Sequence, residues 1–95
     1  MDFDSVLEQY NFVKELVDDY SNDYNVTREK TSELASQLSN LGAMLNKLRE
    51  SIGIKSDGTF ENVAEEDIKK FKAVNDNVKQ LKLEACMAMD TNVAV

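Results

Sequence analysis

Apolar, aromatic and threonine side chains recur at Phe3, Val6, Tyr10, Val13, Val17, Tyr20, Tyr24, Thr27, Thr31, Leu34, Leu38, Leu41, Leu45, Leu48 and Ile52. The gaps alternate between 3 and 4 without a slip. A spacing that averages 3.5 residues puts one side chain per turn on a single helical face and winds that face around a partner with left-handed supercoil. With Phe3 at position a of the heptad, the pattern predicts one continuous helix over about 3–52, roughly 75 Å long at 1.5 Å per residue. On this reading the oligomer seam is Phe3, Val6, Tyr10, Val13, Val17, Tyr20, Tyr24, Leu34, Leu38, Leu41, Leu45, Leu48 and Ile52, hidden against other copies of the chain. Thr27 and Thr31 are the polar seam positions that set register. The stretch YSNDYNVTREKT, residues 20–31, is rich in weak helix formers. A break around Ser21–Asn25, with Asn25 or Thr27 capping a new helix, is the competing arrangement. The unbroken phase favours continuity, because a loop has no reason to preserve it.

Gly53 can take the left-handed conformation that ends a helix, with Ile54 folding back on the Leu48 region. Asp57-Gly58 then predicts a turn. Asn62 followed by Glu65 has the spacing of a capping box and starts a second, shorter, antiparallel helix over about 62–88. Glu65, Glu66 and Asp67 in its first turns and Lys79 and Lys82 toward its end suit the macrodipole. Its apolar stripe is Ala64, Ile68, Phe71, Val74, Val78, Leu81 and Ala85. Gly42 and Ala35 both fall at heptad position e. Small residues in one row let a neighbouring backbone approach, so Ala35, Gly42, Ile68, Phe71, Val74, Val78 and Leu81 form the expected helical-hairpin contact. The fold class is all-α, in one domain of residues 1–95. Its parts are an acidic arm (1–26), a leucine-rich coiled coil (27–52), a turn (53–61), the second helix (62–88) and a tail (89–95).

Charge changes the picture in one place. Residues 1–26 hold seven acids (Asp2, Asp4, Glu8, Glu15, Asp18, Asp19, Asp23) against Lys14 alone, and so account for most of the net charge of −7. Such a chain is poorly suited to phosphate backbones or anionic membranes, which argues against direct nucleic-acid or membrane binding. No window has the length of apolar residues a membrane span needs, and MDFDSVLEQY lacks the pattern of a signal peptide. With the single Cys86, a reducing cytoplasmic location is expected, the host cytoplasm if the protein is viral.

Candidate chemistry is sparse. Histidine is absent, which removes the commonest general base and zinc ligand. Cys86 beside Met87 and Met89 reads as core or interface. With Gly58 as the sixth residue of a calcium loop, positions one, three and twelve would be Gly53, Lys55 and Ala64, so an EF-hand is rejected. No glycine-rich phosphate loop is present. Tyr10, Tyr20 and Tyr24 lie on the seam rather than beside basic residues, and Lys69, Lys70, Lys72, Lys79 and Lys82 read as a solvated helix face. No catalytic, cofactor-binding or metal-ligating residue is assigned, and an enzyme is not expected.

The segment LNKLRESIGIKSDGTFENVAEEDIKKF carries a resemblance. Leu45, Leu48, Gly53, Ile54, Asp57, Thr59, Glu65 and Ile68 follow an order in which an amphipathic helix ends in a Gly-Ile step. A short Asp/Thr turn and an acidic-start helix come next. In this, residues 38–72 resemble the small coiled-coil assembly proteins of tailed bacteriophages, of the tail-fibre assembly chaperone type. The general build is also similar to that of head-scaffolding proteins. The resemblance implies an assembly chaperone or scaffold working as a homo-oligomer, dimer or trimer and above, on a protein client. Its mechanism would be templating, with Leu7, Phe12, Leu16 and Val26 exposed on the arm as partner contacts. Leu7 and Leu16, at heptad positions e and g, could instead widen the core of a larger bundle. The alternative functions are a sequestering protein or inhibitor whose acidic arm mimics nucleic acid or plugs a basic groove, and a structural oligomerisation module.

Overall fold

The computed structural model describes residues 2–22 and 27–93, with side chains as far as Met89. Three helices follow one another: α1 (Phe3–Ser21), α2 (Arg28–Ile52) and α3 (Glu65–Val93). No strand occurs among the described residues; one isolated antiparallel bridge joins Ile54 to Phe60. The fold is therefore all-α.

The expected continuous helix over 3–52 is corrected. α1 stops at Ser21, where Asn22 caps it: the Asn22 backbone N–H and its Nδ2 both donate to the Asp18 carbonyl, at 3.2 and 2.9 Å. α2 starts after Thr27, whose Oγ1 accepts from the Lys30 backbone N–H at 3.2 Å. Of the two capping residues considered, Asn25 lies outside the described residues and Thr27 is the cap. The two helices run in opposite directions. Tyr20 Oη and Thr31 Oγ1 are 3.0 Å apart close to the connection, and Gln9 Nε2 donates to Gln37 Oε1 at 2.9 Å farther from it. Asn and Asp compete for backbone hydrogen bonds and favour caps over helix interiors, which makes residues 20–31 the easiest place to fold back. Closing a short loop is also entropically cheaper than immobilising a second chain.

The seam is consequently buried within one chain. Val6, Val13, Val17, Tyr20, Leu34, Leu41, Leu45 and Leu48 are core residues, and Phe3, Tyr10, Leu38 and Ile52 are half-buried against them. Thr31 is half-buried and Thr27 exposed. Tyr24 lies outside the described residues. The heptad phase survives the break because both helices need an apolar stripe facing the same core.

The second predicted helix is also redrawn. It begins at Glu65, because Asn62 has φ +56° in the left-handed region that Asn tolerates, and so turns the chain instead of capping it. Ala64, expected on the stripe, precedes the helix and is exposed. At 29 residues α3 is the longest helix, not the shorter one. Its run of good helix formers past Leu81 meets no Gly or Pro, and Ala88 and Met89 still pack on the core. Phe71, Val74, Val78, Leu81 and Ala85 are buried and Ile68 half-buried. α3 touches both α1 and α2, giving a body of 50 × 21 × 16 Å.

Gly42 makes no groove. A Cβ built there meets nothing within 4 Å, and Ala35, in the same row, is exposed. Gly53 behaves as expected, with φ +105° and its N–H, together with that of Ile54, on the Arg49 carbonyl at 3.1 Å. Ile54 is buried. Between α2 and α3, Lys55 N–H donates to the Thr59 carbonyl and Gly58 N–H to the Lys55 carbonyl, both at 2.8 Å. Asp57 Oδ1 closes the turn by accepting from the Thr59 N–H (3.0 Å) and hydroxyl (2.6 Å).

Candidate protein-binding surface

α1 gives its apolar face to the core and turns nearly all its charge outward. Asp2, Asp4, Glu8, Glu15, Asp18 and Asp19 are exposed, with Lys14 the one base among them. Among the described residues, the ion pairs are Arg49–Glu50, Lys69–Glu65 and Lys70–Glu66, and none involves a carboxylate of α1. Asp2 has a local task, capping the helix by accepting from the Ser5 N–H at 2.9 Å. Hydrogen bonding to Ser5 holds its carboxyl below the usual value. Asp18 and Asp19 sit in the last turn, where negative charge opposes the macrodipole and no basic residue offsets it.

The expected contact residues do not form one patch. Leu7 is 40% and Phe12 43% exposed, but five residues at about 100° each put them about 140° apart, on opposite borders of the exposed arc. Leu7 shares its border with Phe3, whose ring lies 5.9 Å from the Lys70 Nζ of α3. Phe12 shares its border with Gln9 and Leu16, which face α2. Leu16 is half-buried against the core rather than projecting, and Val26 lies outside the described residues.

What the fold assembles at the Phe12 border is a cleft between α1 and α2. Leu16, Tyr20 and Leu34 supply its apolar floor, and Asp19, Glu33 and Lys30 its polar wall, around about 360 Å³. The Gln9–Gln37 pair bridges the two helices farther along. Periodicity could not reveal this, since Leu34 and Tyr20 read as seam and Glu33 as an ordinary surface acid.

α3 carries two further exposed apolar side chains, Leu83 (55%) and Met87 (61%), one turn apart and off the stripe. Their spacing is visible in the sequence. Cys86, expected in a core or interface, is exposed on the chain. Among the described residues no helix is long and apolar enough to cross a membrane, and no cluster of His, Cys, Asp or Glu is placed to hold a metal ion. Comparison with family models, with curated proteins and with solved structures gave no match.

Proposed function

We propose that this is a non-enzymatic protein-binding module that holds a basic protein partner, in the manner of an assembly chaperone or a sequestering factor. One observation carries the reading: α1 exposes its carboxylates with no cationic partner from its own chain among the described residues. Asp2 caps the helix and Asp4 in its first turn suits the macrodipole, but helix stability does not account for Glu8, Glu15, Asp18 and Asp19. Asp18 and Asp19 work against the macrodipole, and like charges at i,i+4 spacing, as in Asp4 with Glu8 and Glu15 with Asp19, repel. An external cationic surface relieves both effects and gains from steered association. The likeness of residues 38–72 to phage assembly chaperones supports a protein client. Templating through a shared seam is not retained, because those side chains already pack within the chain.

The test is capture on immobilised protein from extract of the source cell, at about 50 and about 300 mM salt. A basic protein should be retained by the wild type at low salt. It should be lost when Asp4, Glu8, Glu15 and Asp19 are changed to Asn or Gln, and kept when Glu65, Glu66, Asp76 and Glu84 of α3 are neutralised instead. Equal loss from both variants, or from neither, overturns the reading.

A further inference from the structure

Asp57–Gly58 is the one place in the sequence where an aspartate or asparagine precedes glycine. Glycine has no side chain to hinder approach to its own nitrogen, which lets the preceding carboxyl react with the backbone. Asp57, Gly58 and Thr59 are all exposed in the turn between α2 and α3, so water reaches them. The reaction is a ring closure. The Gly58 nitrogen bonds to Asp57 Cγ and loses its proton, which leaves as water with the hydroxyl of the carboxylic acid. A second water then opens the five-membered imide. Opening at Cγ restores aspartate. Opening at the Asp57 main-chain carbonyl instead routes the backbone through Cγ and leaves an isoaspartate, one methylene longer in the main chain and unchanged in mass.

The folded turn opposes both requirements of ring closure. The Gly58 N–H donates to the Lys55 carbonyl at 2.8 Å, a bond that must be lost when the nitrogen gives up its proton. Asp57 Oδ1 accepts from the Thr59 N–H at 3.0 Å and from its hydroxyl at 2.6 Å. Both donors favour the ionised carboxylate, and only the neutral acid has a hydroxyl to release. The low-lying Asp57 carboxyl agrees with this. We propose that Asp57–Gly58 is a site of spontaneous isoaspartate formation, and that the Thr59 hydroxyl, with the Gly58–Lys55 hydrogen bond, keeps it in the aspartate form while the chain is folded. An added main-chain methylene lengthens the span between Ile54 and Phe60, which the turn joins by an antiparallel bridge, so the modification unfastens the connection between α2 and α3.

The test is prolonged incubation of the whole protein at mildly acidic pH, followed by tryptic release of residues 56–69. In that peptide the aspartate and isoaspartate forms share a mass and separate on chromatography. Fragmentation of the added main-chain Cα–Cβ bond places the change at Asp57. Folded wild type should isomerise at least about fivefold more slowly than the same chain in urea, where the turn's hydrogen bonds are gone. Thr59→Val keeps the branched shape and removes the hydroxyl donor. It should isomerise about 2- to 10-fold faster than folded wild type, the factor one hydrogen bond contributes to a population. Thr59→Ser keeps the donor and should stay within about twofold of wild type. Equal rates for folded and urea-unfolded wild type overturn the proposal, and so does the absence of isoaspartate at residue 57 even in urea. Thr59→Val no faster than wild type, with its helices intact by circular dichroism, overturns it as well, as does Thr59→Ser as fast as Thr59→Val. The wild-type comparison needs no variant and decides the matter alone if Thr59→Val loses its helices.

Discussion

Gly42 sits within α2, half-buried, with open space where a side chain would begin. A helical glycine with no close neighbour lowers stability through backbone freedom in the unfolded chain. Gly42→Ala is therefore expected to raise the unfolding free energy by about 0.5–1 kcal/mol, read from urea denaturation. A loss of stability instead would mean that a backbone does approach there, as the sequence pattern first implied. The lesson concerns what a residue type can say. A small residue in a helical row is compatible with a close crossing, but the row does not say whether a neighbour uses it. Gly53 was legible for the opposite reason: it follows the last stripe residue, Ile52, where a left-handed residue has a defined task.

Between α2 and α3 the turn from Ile54 to Phe60 is held by Asp57. Hydrogen bonds from the Thr59 side chain and backbone push its carboxyl below the ordinary value of 3.8. Because the folded value is the lower one, the turn's contribution is fully present above about pH 4. It is lost as pH falls through the folded value. In an NMR titration of the side-chain carboxyls, Asp57 should therefore protonate at lower pH than an exposed aspartate, and Thr59→Val should move its midpoint back up toward 3.8. An unchanged midpoint would contradict the hydrogen-bond origin. At the level of elements, the Asp57-Gly58 turn, the Gly53 stop and the leucine-rich stripe of α2 could be read in advance. The boundary at Ser21 and the start at Glu65 could not be settled that way. Each depends on whether an Asn caps a helix or turns the chain, and Asn side chains suit both.

For the molecule as a whole, the decisive fact is that the described apolar residues of the stripe, from Phe3 to Tyr20 and from Leu34 to Ile52, pack on one core within the chain. Val6, Val13, Leu41 and Leu34 are almost wholly removed from solvent inside a single chain. With the described stripe residues covered inside the chain, light scattering is expected to give the mass of one chain, 10.7 kDa, independent of concentration over the micromolar range. A mass rising with concentration would show a self-contact through another face, with Leu83 and Met87 the first residues to substitute. The candidate site belongs to this level as well. Its acids were plain in the sequence, but the cleft exists only because α1 folds back beside α2.

Helical periodicity, the absence of proline and the Gly53–Ile54 stop were sufficient to specify an all-α chain and the described apolar stripe residues other than Ala64, which is exposed ahead of α3. They also located the concentration of carboxylates at the amino-terminal end. A 3–4 rhythm, however, records only that one face of a helix avoids water; it carries no mark of which surface covers that face. Whether the cover came from another copy or from the chain's own next helix depended on a weak stretch near residue 22 and on the small entropy of closing a short loop. Packing within one chain resolved that choice, and the same packing set Leu16, Tyr20 and Leu34 beside Glu33.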